Sequence, residues 1–211
     1  MYQIPRQLIA ENKRTRAKSL DLGNCMLVDL KKDVPELFEC VWLERLILGD
    51  WYLDLEDFDW NNWVFEDFNS SKWAAEHFNR KKKESANKDE HNQLSCLPVE
   101  ISQLRNLKEL YLGKVSDEKT SLKAISKLSK LESLVCSGKE NDNLKFLKKL
   151  TRLQVLILDF PQLSDICVLR RMKQLRILIF TDTRIKEGRV LEKLNQLQVL
   201  AFPLNKIPNI S

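Results

Sequence analysis

Aliphatic residues recur along this chain in a six-residue pattern, L-x-x-L-x-L, whose x positions are free to be polar. From Leu107 onward the pattern starts again after 24, 22, 22 and 22 residues, so it is a repeat. An apolar residue at every second position predicts a short strand with one buried side. The segments are LERLIL (43–48), LKELYL (107–112), LESLVC (131–136), LQVLIL (153–158), LRILIF (175–180) and LQVLAF (197–202).

These segments resemble the units of leucine-rich repeat proteins. An earlier unit, AKSLDLGNCML from residue 17, has the same form. The segment NQLSCLPVEISQLRNLKELYLG at 92–113 is similar to bacterial leucine-rich repeat proteins and to the repeats that precede the GTPase in Roco proteins. The resemblance implies an α/β solenoid shaped as a horseshoe or arc, with a parallel β-sheet on its concave face. Short helical or 3-10 return segments would form the convex face, and the implied role is binding.

The repeats divide the chain into a cap and an interrupted array. IPRQLIAENKRTR predicts an N-terminal capping helix within residues 1–16, and about seven repeats fill residues 17–211. The second repeat loses the consensus at Trp51 and regains it at Asn92, which predicts an insertion at 51–91. Counting along the chain puts Trp51, Val115 and Pro161 at the position where other repeats carry a polar residue that bonds the backbone. The ladder of polar residues is therefore expected to be broken there.

The insertion is both acidic and aromatic. Trp and Tyr frequently anchor protein interfaces, so it is predicted to bind a partner. The alternative is that its aromatic residues fold back over the edge of the repeats. The predicted partner-binding residues of the insertion are Trp51, Tyr52, Trp60, Trp63 and Phe65.

The x positions of the last repeats carry aliphatic residues where charged ones would suit a solvated face. We expect an exposed apolar stripe that binds a partner, as such patches mark interaction surfaces. The alternative is a stripe covered by the insertion or by a second copy of the chain. Its predicted residues are Tyr111, Val155, Ile157, Ile177, Ile179 and Val199.

The final repeat is followed only by PLNKIPNIS, too short for a return helix. A solenoid end without a polar cap exposes apolar side chains. The sequence thus predicts that a second chain, another copy or a partner protein, covers this end at Phe202.

Candidate chemistry is sparse. Residues 57–68 match a calcium loop at Asp57, Asp59 and Asn61, but Phe68 stands where the bidentate Glu is required. Only His77 and His91 offer imidazoles, and no hydrolase, metalloprotease or phosphate-loop motif is present. No catalytic residue, cofactor or metal site is expected, and neither an enzyme nor a GTPase is indicated.

Charge is distributed unevenly. Residues 1–118 hold 17 Lys and Arg against 22 Asp and Glu, whereas residues 119–211 hold 18 against 8. The alternative function is therefore a nucleic-acid or anionic-surface binder using the basic C-terminal half. The lack of interleaved aromatics argues against nucleic acid. Without a signal sequence or an apolar window long enough for a membrane span, we expect a cytoplasmic protein-interaction module with a protein partner and no membrane partner.

Overall fold

The computed structural model of the chain describes residues 3–49, 92–115, 122–138, 144–181 and 184–201. Within these ranges seven short strands alternate with helical return segments. The strands are β1 (Ser19–Asp21), β2 (Arg45–Ile47), β3 (Glu109–Val115), β4 (Ser133–Gly138), β5 (Val155–Asp159), β6 (Ile177–Thr181) and β7 (Val199–Ala201). The α-helices are α1 (Gln3–Thr15), α2 (Leu30–Asp33) and α3 (Leu122–Ile125). The 3-10 helices are Pro35–Glu39, Val99–Gln103, Lys145–Lys149, Cys167–Arg171 and Arg189–Lys193.

The strands form one parallel sheet in which the spatial order β1 to β7 is also the chain order. Leu46 is paired with Leu20 on one side and with Leu110 on the other. The same consensus position continues in register through Leu134, Leu156, Leu178 and Leu200. The repeated pattern therefore fixes the register, because a slip of one residue would turn every leucine to the other face.

The consensus leucines fill a core between the sheet and the return segments. Leu134 and Leu156 of the sheet and Leu147 and Leu150 of a return segment have no exposed surface. The return turns are tight, as when the backbone N–H of Leu150 donates to the carbonyl of Leu147 at 2.8 Å. Each fully buried leucine contributes about 2 kcal/mol from the apolar surface it removes from water.

Helix α1 covers the first strand through one buried amide as well as through apolar contacts. Ile9 packs in the leucine core, and Asn12 is buried beside it. The Asn12 side chain donates to the carbonyls of Ala17 at 3.1 Å and Ser19 at 3.0 Å. Its own carbonyl accepts a hydrogen bond from the indole N–H of Trp42 at 3.0 Å. This polar anchor fixes the angle at which the helix lies against the first repeat.

Asn92 fills the polar position of the second repeat. Its side-chain amide donates to the carbonyls of Leu22 and Leu48, both at 2.7 Å. Its side-chain oxygen accepts from the backbone N–H groups of Cys25 at 3.1 Å and Leu27 at 2.8 Å. The prediction that the ladder breaks in this repeat is wrong, because the residue that bonds there comes after the insertion. Trp51 lies outside the described residues.

Three glycines follow the consensus leucines of β1, β2 and β3 at one position of successive repeats. A Cβ atom on Gly49 would lie 2.9 Å from the backbone nitrogen of Gly113. One on Gly23 would lie 2.6 Å from the carbonyl oxygen of Gly49. Only glycine permits this approach, since the opposing atoms belong to the backbone and cannot rotate away.

Candidate interaction face

The sheet has a second layer of side chains on the face opposite the leucine core, because alternate residues of a strand point to opposite sides. This outer layer is buried, yet none of its members belongs to the leucine core cluster. It consists of Ile47, Tyr111, Val135, Val155, Ile157, Ile177, Ile179, Val199 and Ala201. The predicted direction of these side chains is therefore observed.

The predicted exposure of the stripe is wrong. The exposed fractions of its residues are 0% for Tyr111 and Ile177, 1% for Val155, 2% for Ile179, 3% for Val199 and 4% for Ile157. Strands lie about 4.8 Å apart, so branched side chains on neighbouring strands cover one another's flanks but not their tips. The buried apolar side chains of the return segments belong to the leucine core. The stripe is buried in this structure and is not an open apolar surface.

The outer layer begins with a polar network on β2, β3 and β4. The guanidinium of Arg45 donates two hydrogen bonds to Glu109, at 2.8 and 3.0 Å. The hydroxyl of Tyr111 donates to the same carboxylate at 2.9 Å, and Ser133 donates to the Tyr111 oxygen at 3.4 Å. Burial first, and the Glu109 charge second, raise the pKa of Tyr111 well above its usual range. Sequence reasoning named Tyr111 but missed its partners.

A row of charged side chains borders this network where the strands begin. Glu44 accepts hydrogen bonds from Lys18 at 2.6 Å and from Lys108 at 2.7 Å. The hydrogen bonds from Lys108 and then Lys18 lower the pKa of Glu44 to about 2. The row holds consecutive repeats in register at the surface, with modest strength because the pairs are solvated.

Further along the same edge, two glutamines, one on either side of an arginine, follow the row of alternating charges. Gln154, Arg176 and Gln198 occupy one repeat position at intervals of 22 residues, and Arg176 donates to the Gln198 side-chain oxygen at 3.1 Å. They line an open groove of about 670 Å³ that sequence reasoning missed. The spacing of the amides was the available signal. The groove is also lined by Gln174, Asn195, Gln196 and Leu197.

Several predicted site residues lie outside the described residues. They are Trp51, Tyr52, Trp60, Trp63, Phe65 and Phe202. The rejected calcium loop at 57–68 and both histidines also fall there. In the described ranges no group of three or more His, Cys, Asp or Glu residues is placed to hold a metal ion. None of the helices in those ranges is long and apolar enough to cross a membrane.

The fold is similar to two solved structures from Listeria monocytogenes. Internalin C2 aligns with a TM-score of 0.53 and 19% identity, over 92% of this chain and 74% of that one. The internalin inlF aligns with a TM-score of 0.55 and 15% identity, over 95% of this chain and 52% of that one. No protein-family model and no curated protein sequence matches this chain.

Likeness at these identities concerns the fold alone. It agrees with the seven parallel strands, the short return segments and the leucine core described above. The chain is therefore a leucine-rich repeat solenoid, and the fold class predicted from its sequence is confirmed.

Proposed function

We propose that this chain is a protein-protein interaction module without catalytic activity, which binds through the outer face of its sheet when the outer layer is uncovered. The outer layer is the observation that supports this proposal. The repeat requires leucines on the core side only, so the aliphatic residues of β5, β6 and β7 serve a second packing surface. Branched aliphatic side chains in a row suit contact with a polypeptide once they are uncovered, since burying them again would supply much of the energy of such a contact.

The polar network would give this surface a direction. Arg45 and Glu109 stand at one end of the outer layer, whereas Val199 and Ala201 stand at the other. A partner segment with a polar group at one end and apolar side chains along the rest would match this order. The aromatic residues of the insertion, with Trp60 and Trp63 among them, are proposed to extend the contact.

We also propose that the chain has no enzymatic role and acts in the cytoplasm. In the described part of the chain the strongly shifted acidic group, Glu44, is a surface carboxylate held by two lysines. Tyr111 is buried with a raised pKa, which makes it a poor proton donor or nucleophile. The resemblance of the repeat at 92–113 to Roco repeats supports a binding role, and no phosphate-loop motif accompanies it.

Partner capture from an extract of the native cells tests the proposal. The wild-type chain should retain specific proteins, and a variant with Ile157→Asp and Ile179→Asp should lose them. Val41→Asp with Val99→Asp is the matched control, because both of those side chains are exposed outside the outer layer. Circular dichroism and denaturant unfolding establish whether each variant is folded.

Two results would contradict the proposal. One is a wild-type chain that retains nothing beyond bare resin. The other is equal retention by the Ile157/Ile179 variant and the control. If the Asp variant fails to fold, Ile157→Ala with Ile179→Ala replaces it, since that change removes contact area without burying a charge.

A further inference from the structure

The last four return segments carry exposed Lys and Arg side chains at positions that recur every 22 residues. One complete row consists of Lys127, Lys149, Arg171 and Lys193, and all four are exposed. One repeat is 22 residues here, so side chains at this spacing lie on adjacent repeats and line up along the solenoid. Incomplete rows beside it are Lys123, Lys145 and Arg189; Lys148 and Arg170; and Lys130 and Arg152. We call this array the basic face.

The basic face differs from the first half of the chain in how its charges are paired. In the first 109 positions many cations are held by carboxylates, as in the ion pairs Lys13–Glu39 and Lys31–Glu100. The four cations of the complete row form no ion pair with any residue in the described ranges. Between 122 and 201 the described residues hold 15 Lys and Arg against 5 Asp and Glu. The repeats thus bring like charges together.

Helix dipoles explain only part of this arrangement. Lys149, Arg171 and Lys193 end their 3-10 helices, where a cation meets the negative end of the dipole. Lys145 and Arg189 begin theirs, where the dipole is positive and a cation is disfavoured. Because cations stand at both ends of the same short helices, the helix dipole does not account for the positive charge of this surface.

A groove between two return segments has a size that suits a small anionic group. Lys145, Lys148, Arg170 and Arg171 line an open space of about 200 Å³, enough for a phosphate group. Asp165 also lines it, but this carboxylate accepts a hydrogen bond from the backbone N–H of Cys167 at 2.8 Å. The groove keeps a positive balance of four cations against one anion.

We propose that the basic face docks on an anionic lipid bilayer through contacts between its cations and headgroup phosphates. The cations form a two-dimensional array, which matches a sheet of headgroups better than a single extended strand of nucleic acid. The exposed large apolar residues in the described ranges are Ile4, Val28, Val41 and Val99, all in the first half of the chain.

Among the described residues, the basic face therefore has no exposed aromatic ring to stack on a base and no exposed large apolar side chain to anchor a protein partner. Contact of this kind is electrostatic and needs no membrane-spanning helix. A bilayer as the binding partner departs from the expectation, made from the sequence, that the chain has no membrane partner. This contact is also independent of the outer layer of the sheet.

Vesicle sedimentation with the full chain tests this proposal. The probes are phosphatidylcholine vesicles with and without phosphatidylglycerol, over a series of salt concentrations. We expect binding only to the vesicles that contain phosphatidylglycerol, with an affinity that falls as salt rises. Lys127→Gln, Lys149→Gln and Arg171→Gln together should weaken it about a hundredfold, from roughly a fivefold contribution per cation.

The control variant has the same net charge but keeps the basic face. Arg14→Gln, Lys32→Gln and Arg105→Gln remove three exposed cations from the first half of the chain, and this variant should bind as the wild type does. Equal binding to both kinds of vesicle, or equal loss in both variants, would overturn the proposal. So would tighter binding to a random DNA duplex than to the vesicles, since that result assigns the face to nucleic acid.

Discussion

The side-chain amide of Asn92 donates to the carbonyl oxygen of Leu48 at 2.7 Å, although the two residues are 44 positions apart. Leu48 follows β2, where the second repeat is interrupted, and Asn92 is the residue at which the consensus resumes. The hydrogen bond joins the two ends of the interruption. In the count of the repeat, Gly49 and Asn92 are therefore separated by a single residue, as Gly23 and Cys25 are in the first repeat.

Replacement of Asn92 by Ala should destabilise the fold by about 3 kcal/mol. The change leaves two buried carbonyls and two buried N–H groups without the partner that now serves all four. Denaturant unfolding followed by circular dichroism measures the loss. Gln93→Ala is the control, because that neighbouring side chain is exposed and should change the free energy of unfolding by less than about 0.5 kcal/mol. Equal effects of the two changes would contradict this role of Asn92.

Excision of residues 50–91, with one Asn placed between Gly49 and Asn92, should give a folded solenoid. The resulting Gly-Asn-Asn sequence reproduces Gly23-Asn24-Cys25 of the first repeat, where Asn24 has a φ of 53°. Asn tolerates that left-handed conformation better than most residues. Cooperative thermal unfolding of the shortened chain is the expected result. A shortened chain that unfolds without cooperativity would show that the excised residues are part of the folding unit.

Tyr111 should remain protonated throughout the pH range in which the protein is folded. Burial and Glu109 raise the pKa of its phenol above the ordinary value of 10.0. The unfolded chain loses this proton near pH 10 while the folded chain keeps it, so stability is full below that pH and falls as pH rises above it. The difference in absorbance between the wild type and Tyr111→Phe during an alkaline titration reports the ionisation. A normal titration of Tyr111 in the folded protein would contradict the buried network.

Glu44 should titrate at an unusually low pH. Its hydrogen bonds from Lys108 and Lys18 lower its pKa from 4.5 to about 2. A lowered folded pKa contributes stability that is present above pH 4.5 and is lost as pH falls toward 2. Lys108→Met should raise the pKa more than Lys18→Met, because the Lys108 hydrogen bond is the larger cause. Carboxyl chemical shifts followed by NMR measure it. Equal pKa values in all three chains would show that these pairs are not formed in solution.

The fold could be predicted because one requirement, the burial of the consensus leucines, determines the pattern of the repeat. Each consensus leucine must be buried between the sheet and a return segment, so its spacing alone indicates strand, turn and register. Leu134 and Leu156, paired in adjacent strands, illustrate this directly. The internalin likeness confirms the same architecture from an independent comparison.

Exposure could not be predicted from the same pattern. The spacing shows that Ile157 points away from the leucine core, but the burial of its tip depends on packing that no local rule contains. The role of Asn92 was not predicted for a different reason: the residue count from Leu43 placed Trp51, inside the insertion, at the polar position of the repeat. The signal lay in the N-x-L-x-x-L-P segment that starts at Asn92 itself. The binding roles of Trp51, Tyr52 and the other aromatic residues of the insertion stay predictions.

The three stacked glycines make the repeats of this solenoid unequal as building blocks. In the residue count of the repeat, Ser137, Asp159 and Thr181 follow Gly23, Gly49 and Gly113 at this position, but the sheet register shifts between Tyr111 and Lys114, so Ser137 pairs with Lys114. A repeat copied from the second half in place of the second repeat would put a side chain where Gly49 stands, and its Cβ would lie 2.9 Å from the backbone nitrogen of Gly113. Gene duplication or engineered lengthening can therefore extend the array freely among its later repeats. The first three can be extended only by units that also carry glycine directly after the last consensus leucine.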